Sequence, residues 1–246
     1  MPQISNSEIK FVRSLSSKKF RDESGLFIVE GEKMVREAMD SRFEVVNIYR
    51  RDEIGDEAMS RISQLSSPSP VLAVVRKPDD IENSSAEIGA GLYLALDSIR
   101  DPGNLGTILR ISDWFGIKSV VASRDTVELF NPKVVQSTMG AIFRVDFHYV
   151  DLESFAADVL KCNGKIYGTF LDGEDMYGKE LDPGMERPSV IVIGNEANGI
   201  STGMERLVSD RLFIPPYPAD EPGSESLNAA VATAITVAEF RRRARI

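Results

Sequence analysis

Three segments of the chain carry polar side chains at spacings that could do chemistry. Each joins the end of an apolar run to a polar or glycine-containing turn and then to a helix-like run, which is where open α/β sheets place their ligands. The first is Leu94-Ala-Leu-Asp-Ser-Ile-Arg-Asp-Pro-Gly-Asn-Leu-Gly-Thr-Ile-Leu-Arg110. Asn104 is expected to cap a helix whose N-terminus can receive an anion, and Arg110 follows somewhat under two turns later. The second is Ile191-Val-Ile-Gly-Asn-Glu-Ala-Asn-Gly-Ile-Ser201, in which Gly194 ends a buried strand and Glu196 is left in the turn. A carboxylate there can orient a guanidinium or a ribose hydroxyl. The third runs from Ile214-Pro-Pro-Tyr-Pro through a loop to Ser226-Leu-Asn-Ala-Ala-Val-Ala-Thr-Ala-Ile235, where Ser226 or a neighbour starts an alanine-rich helix. Taken singly, Asn104 and Ser226 read as helix caps, Glu196 as a surface acid and Arg110 as a salt-bridged or snorkelling side chain.

Other chemistries are hard to assemble from this composition. Cys162 is the one cysteine and His148 the one histidine. Disulfides within the chain, Cys/His zinc sites and a Ser-His-Asp triad with a helping histidine therefore lack their parts, and no metal is expected. The common nucleotide fingerprints, G-x-G-x-x-G after a strand and G-x-x-x-x-G-K-[ST], do not occur.

The elements that must position the three segments read as two α/β units. Residues 5–20 carry Ile9, Phe11, Val12, Leu15 and Phe20 at near-helical spacing, and Leu26–Glu30 follows as a strand. A helix fits Glu32–Met39, a strand Phe43–Tyr49, a helix Glu53–Leu65 and a strand Val71–Val75. The polar run from Lys77 to Glu87 has little to bury and reads as a linker. From Gly91 the strands become fuller and more apolar: Leu92–Leu96, Ser119–Ala122, Lys165–Leu171, Val190–Ile193 and Arg211–Ile214. Helices are expected at Leu105–Phe115, Pro132–Met139, Leu152–Leu160, Thr202–Val208 and Leu227–Arg243. Such strands suit a parallel, doubly wound sheet covered on both faces. In the last helix Leu227, Ala230, Val231, Ala234, Ile235 and Ala238 form one small-residue stripe, read first as ordinary core packing. The expected organisation is residues 1–76, a linker at 77–90 and a second domain at 91–246.

With 246 residues, 42% of them hydrophobic, the chain can build a core. No apolar run is long enough for a membrane span, and Met1–Lys10 lacks a secretion-signal pattern, so the cytoplasm is the expected location. A net charge of −9 argues against a nucleic-acid partner on average. The charge is unevenly spread, however. Residues 1–76 hold 12 basic and 12 acidic side chains, so the whole excess lies further on. Lys10, Arg13, Lys18, Lys19 and Arg21 form a basic run with no acid before Asp22, which is either a solvated helix surface or a phosphate-binding face.

In order and spacing, the three segments together closely resemble the motifs of the SpoU/TrmH group of the SPOUT methyltransferase superfamily. The match is Asp-Pro-x-Asn-x-Gly-x-Ile-x-Arg, Gly-Asn-Glu-x-x-Gly-Ile, and Ile-Pro followed by Ser-Leu-Asn. Gln136-Ser-Thr-Met-Gly-Ala141 is similar to a further family stretch, and the resemblance covers about residues 91–245. Lys18–Glu32 looks like the small ribosomal-protein-like RNA-binding domain that precedes the catalytic domain in the ribosomal RNA branch. The sequence departs from the usual pattern after Arg110, where Ile-Ser stands for Thr-Ala, and after Ser-Leu-Asn, where Ala-Ala stands for Val-Ser.

The resemblance implies a small N-terminal α/β RNA-binding domain and a C-terminal parallel-sheet α/β domain with a deep trefoil knot. It implies a homodimer through the knotted region and S-adenosylmethionine as cofactor. Gly194, Ile214 and Leu227 would contact the cofactor, with Thr169 as a weaker addition. The reaction implied is methyl transfer to a ribose 2′-hydroxyl of RNA, ribosomal rather than transfer RNA. Arg110 would act on the hydroxyl as base or electrostatic stabiliser, with Asn104, Glu196, Ser226 and Asn228 positioning it, the ribose or a phosphate. Lys10, Arg13, Lys18, Lys19 and Arg21 would meet RNA phosphates. The alternatives are a transfer RNA methyltransferase, a non-catalytic RNA-binding or ribosome-assembly protein of the same fold, and, more distantly, a flavodoxin-like oxidoreductase.

Overall fold

The computed structural model describes residues 4–79, 81, 86–218 and 226–244. The chain folds as two compact units, one formed by residues 1–79 with Glu128–Arg144, the other by Asp80–Val127 with Val145–Ile246. Within the expected linker, residues 80 and 82–85 lie outside the described residues.

The first unit is a three-stranded antiparallel sheet, β1 (Leu26–Glu30), β2 (Val45–Arg50) and β3 (Val71–Arg76), in the order β1-β3-β2. Ile28 pairs with Val74 and Phe27 with Val75, so alternate side chains of β1 and β3 face opposite sides, and both sides are covered. On one side α1 (Asn6–Ser14) and α5 (Asp56–Ile62) close a core of Ile9, Val12, Leu15, Met59 and Ile62 against Leu26, Ile28, Leu72 and Val74. On the other side α3 (Glu32–Met39) packs on β1 and β3. The helical spacing expected over residues 5–20 is broken into α1 and α2 (Lys18–Ser24), and Gly25 in the left-handed region (φ 68°) ends α2. The helix expected at 53–65 is likewise two, α4 (Arg51–Ile54) and α5, separated by Gly55 at φ 85°.

Residues 128–144, which the sequence pattern assigns to the second domain, pack with the first unit. The cause is aromatic: Phe130 lies 4.6 Å from Phe27 and Phe143 lies 5.2 Å from Phe43, ring centre to ring centre. The helix α7 (Pro132–Thr138) in this segment rests on β1. Those four rings close the second face of the sheet.

The second unit is a six-stranded parallel sheet in the order β6-β5-β4-β8-β7-β9. Its strands are β4 (Gly91–Leu96), β5 (Ser119–Ala122), β6 (Phe147–Tyr149), β7 (Lys165–Asp175), β8 (Pro188–Ile193) and β9 (Asp210–Phe213). β8 is buried along its whole length, as a strand covered on both faces must be. On one face α8 (Leu152–Lys161) and α9 (Thr202–Glu205) pack Phe155, Ala156, Val159 and Met204 on Tyr93, Ala95, Val190 and Val192. On the other, α10 (Ala229–Arg243) packs against α6 (Pro102–Trp114) and β8. No helix among the described residues is long and apolar enough to cross a membrane.

The small-residue stripe read from α10 is corrected by the structure. The buried face is Ala229, Ala230, Thr233, Thr236, Val237 and Phe240, whereas Val231 is 47% exposed and Ala238 is exposed. Thr233 and Thr236 bury their hydroxyls by donating to the carbonyls of Ala229 (2.7 Å) and Ala232 (2.9 Å), so two nominally polar residues line the inner face.

Candidate active site

The order of the parallel sheet reverses between β4 and β8. From β4 the chain proceeds outward through β5 and β6, while β7, β8 and β9 lie on the other side of β4. Loops leaving the carboxyl ends of two such adjacent strands diverge, and the gap between them is the ordinary ligand site of an open α/β sheet. A cleft of about 780 Å³ lies there, lined among others by Asp97, Ser98, Arg100, Asn195, Glu196 and Ser201.

The loop after β4 is fixed by its backbone partners. Asp97, 4% exposed, donates its amide to the carbonyl of Ile193 (2.9 Å) and accepts from the amide of Ser201 (2.7 Å), joining the two loops at their roots. Ser98, left-handed at φ 60°, donates its amide to the Ser123 hydroxyl (2.9 Å), and its carbonyl accepts from the Asn195 amide group (2.7 Å). Arg100 pairs with Asp125 at 2.9 Å. Hydrogen bonds from Ser123 and Ser98, and the nearby Arg100 charge, hold the Asp125 carboxyl below its ordinary range.

Asn104 does not cap α6. Asp101 does, accepting from the amide of Asn104 at 2.7 Å, with Pro102 in the first helical position. Asp-Pro is itself a start signal, so the sequence does mark this cap, three residues ahead of Asn104. Freed from capping, the buried Asn104 side chain joins the three segments. Its amide nitrogen donates to Glu196 at 2.8 Å, and its oxygen accepts from the Asn228 amide nitrogen at 2.8 Å. Asn228 caps α10, its oxygen accepting from the amides of Ala230 (3.0 Å) and Val231 (3.3 Å). Those two donors settle which end of each amide is oxygen. The polarity then runs one way, from the start of α10 through Asn104 to the Glu196 carboxylate.

Glu196 stands at the tip of a tight loop in which Asn195 and Gly199 exchange backbone hydrogen bonds of 2.9 Å. Asn195 also accepts, through its side-chain oxygen, from the amides of Ala197 (2.9 Å) and Asn198 (3.0 Å). Gly194 is required beneath this loop, because a Cβ there would stand 2.3 Å from the carbonyl carbon of Gly199.

Arg110 lies about 9 Å further along α6 than Asn104 at the usual helical rise. It is exposed and makes no hydrogen bond or ion pair among the described residues. The structure thus brings Asn104, Glu196 and Asn228 together by direct contact and leaves Arg110 unengaged. Ser226 is exposed, two residues before the Asn228 cap.

The residues expected to meet a cofactor fall on three neighbouring strands or directly after them. Gly194 follows β8, Ile214 follows β9, and Thr169 sits in β7, where it pairs with Leu212 and donates to the Val192 carbonyl at 3.4 Å. Leu227, 47% exposed, precedes Asn228. An exposed leucine and the half-buried Ile214, beside the loop that Gly194 keeps close, fit an adenine ring that needs apolar surface and backbone partners. None of these four lines the cleft beside Glu196, and residues 219–225 lie outside the described residues.

Of the basic run, Lys10, Arg13, Lys18 and Lys19 are exposed, with Lys18 paired to Asp22 and Lys19 to Glu23 along α2. Arg21 does not belong with them. It is 2% exposed, donates through Nε to Glu128 (3.0 Å) and through Nη1 to the carbonyls of Leu15 (2.9 Å) and Ser16 (2.8 Å). Its donors are spent on the fold of the first unit, so the expectation that it meets RNA phosphates is corrected.

Comparison with known proteins agrees with this geometry. Residues 91–238 match the SpoU rRNA methylase family and residues 6–75 match the MRM3-like substrate binding domain. The chain is 30% identical over 252 residues to the 23S rRNA (guanosine(2553)-2'-O)-methyltransferase RlmP of Bacillus subtilis, covering 96% of both proteins. Among solved structures, a TrmH family protein from Porphyromonas gingivalis is 35% identical with a TM-score of 0.84, covering 98% of this chain and 99% of that one. The AdoMet-bound rRNA methyltransferase from Sinorhizobium meliloti is 28% identical with a TM-score of 0.83, covering 99% of this chain and 97% of that one.

Proposed function

Because the chain belongs to the SpoU rRNA methylase family, we propose that it methylates a ribose 2′-hydroxyl of ribosomal RNA, using S-adenosylmethionine. The observation that carries this reading is the directed chain Asn228–Asn104–Glu196, which ties the three motif segments into one site while Arg110 stays free on the same helix as Asn104. Gly194, Ile214, Leu227 and Thr169 would hold the cofactor, which when bound supplies an electrophilic sulfonium methyl group.

The protein's own task is to orient the hydroxyl and to favour loss of its proton. A guanidinium is protonated throughout the accessible pH range, so Arg110 acts at least as much by stabilising the incipient alkoxide as by taking its proton. Glu196, held by Asn104, is a ready acceptor for a ribose hydroxyl. The start of α10, at Ser226 and Asn228, supplies the third side of the site.

Residues 1–76, completed by 128–144, serve as the substrate-binding domain, 77–90 as linker, and the rest of 91–246 as the methyltransferase domain carrying the family's knot. The exposed Val231 and Ala238 on α10, with the exposed Leu227 before it, support a homodimer packed through this helix. The cytoplasm is the proposed location.

The test is methyl transfer from labelled S-adenosylmethionine to ribosomal RNA, followed by mapping 2′-O-methyl sites in a deletion strain. Loss of a single ribosomal mark is expected. Loss of a transfer RNA mark alone refutes the substrate, and no cofactor binding at millimolar concentration refutes the enzyme.

A further inference from the structure

The first two helices each present an aromatic ring to solvent over nearly half its surface. Phe11 on α1 is 44% exposed and Phe20 on α2 is 45% exposed, whereas Ile9, Val12 and Leu15 beside them are 5% exposed or less. Neither ring joins the core cluster of this face or packs against it as a partly buried neighbour. Single exposed apolar residues are common and need no explanation. These two differ in their company. Each directly follows an exposed lysine, Lys10 before Phe11 and Lys19 before Phe20, and exposed Arg13 and Lys18 lie between them in sequence. The segment from residue 9 to residue 21 contains no acid at all, in a protein whose net charge is −9.

Cations alone would fit the backbone of any nucleic acid. Exposed rings among cations fit something narrower, because a phenyl face can stack only on a base that is out of its own helix. In an A-form duplex the base faces are stacked on each other, and side chains meet mostly phosphates and 2′-hydroxyls. A protein partner is the less suitable occupant: Lys10 and Arg13 are exposed without an ion pair among the described residues, and the exposed pairs Lys18–Asp22 and Lys19–Glu23 are weak enough for a polyanion to replace.

We propose that the α1–α2 surface holds an unpaired stretch of RNA, with Phe11 and Phe20 stacking on bases and Lys10, Arg13, Lys18 and Lys19 meeting phosphates. This rests on the RNA-methylating reading above and narrows the substrate, placing single-stranded RNA on the first unit during the reaction.

The test uses the full-length protein with a labelled single-stranded oligoadenylate and, separately, a short RNA duplex. Phe11→Ala and Phe20→Ala are each expected to weaken binding of the single strand about tenfold, equivalent to ~1.4 kcal/mol. Duplex binding and the dependence of affinity on salt should stay unchanged. Lys10→Ala with Arg13→Ala should weaken both RNAs and flatten the salt dependence. Phe11→Tyr and Phe20→Tyr should restore binding, which a merely structural role for the rings would not require. In methyl transfer, the alanine variants should raise KM for RNA and leave kcat and cofactor affinity alone. Unchanged single-strand binding, equal losses for both RNAs, or a changed oligomeric state would each overturn the proposal. Methyl transfer by the wild type measured in parallel separates failure of this surface from failure of the functional reading itself.

Discussion

The Asn228 side chain donates to the Asn104 side chain at 2.8 Å, and that one contact joins the starts of α10 and α6, two helices 124 positions apart in sequence. Asn104 passes the constraint to Glu196. Asn104→Ala leaves the Asn228 nitrogen without its acceptor and Glu196 with only the longer contact from the Arg100 amide (3.4 Å), which should cost about 1–2 kcal/mol in urea unfolding. Misplacement of Glu196 should lower single-turnover methyl transfer roughly a hundredfold. A variant with the wild-type rate would show that this contact does not set the reacting geometry.

Arg110→Ala should abolish methyl transfer while calorimetry finds cofactor affinity close to that of the wild type. Arg110→Lys keeps the charge and loses the planar fork, so it should retain a measurable fraction of the rate if stabilisation of the alkoxide dominates. A lysine variant as inactive as the alanine one counts against a purely electrostatic role.

Arg21→Met removes one half of the buried ion pair with Glu128, whose side chain is 13% exposed. Glu128 then keeps only Lys77, at 3.5 Å, and the Leu15 and Ser16 carbonyls lose their donor, which should destabilise the protein by about 1–3 kcal/mol. At a temperature where the variant is folded, its RNA affinity should equal that of the wild type, which separates it from Lys10→Ala. A selective loss of RNA binding without loss of stability would restore Arg21 to the RNA surface.

Gly194→Ala places a methyl group against the Gly199–Ile200 backbone, where nothing flexible can yield. Overpacking of this kind costs about 1–3 kcal/mol, and the Glu196 loop should shift with it. Weakened cofactor binding together with a lower melting temperature is the expected result.

Glu239 is buried on α10 and accepts from Arg242 and Arg243, with the Arg242 contacts the stronger cause, so its carboxyl is held down at about 2 against an ordinary 4.5. A depressed carboxylate stabilises the fold above its unfolded value, and that contribution fades as pH falls from about 4.5 towards 2. Arg242 is 55% exposed and solvent screens it, so the effect is of order 1–2 kcal/mol. Glu239→Gln should therefore be less stable than the wild type near neutral pH, and the difference should shrink below pH 4.5 and close only near pH 2. A gap independent of pH would contradict this.

The fold was legible wherever apolar residues were long in run and regular in period. β1 and β5 fall where their branched side chains place them, and α3 follows its periodicity. The three-residue strand β6 (Phe147–Tyr149) was missed because so short a run carries no period. The inner face of α10 was misread for a different reason: ranking residues by apolarity overlooks threonines that satisfy their hydroxyls on their own helix. In the site, the motif spacing named Asn104, Glu196 and Asn228, but their hydrogen-bonded order depended on contacts across 92 and 124 positions, which no local pattern encodes. Arg21 was misassigned because the partner that buries it lies 107 positions away.

That distance also governs the order of events during synthesis. The first unit needs Glu128 and the rings of Phe130 and Phe143, so it cannot be completed when residue 79 leaves the ribosome. It must wait until β4, α6 and β5 have been translated. We expect arrested nascent chains to gain protease resistance over residues 4–79 only once residue 144 has emerged, and resistance in shorter chains would contradict this. The first unit would then mature late, already joined to the first strands and helix of the second.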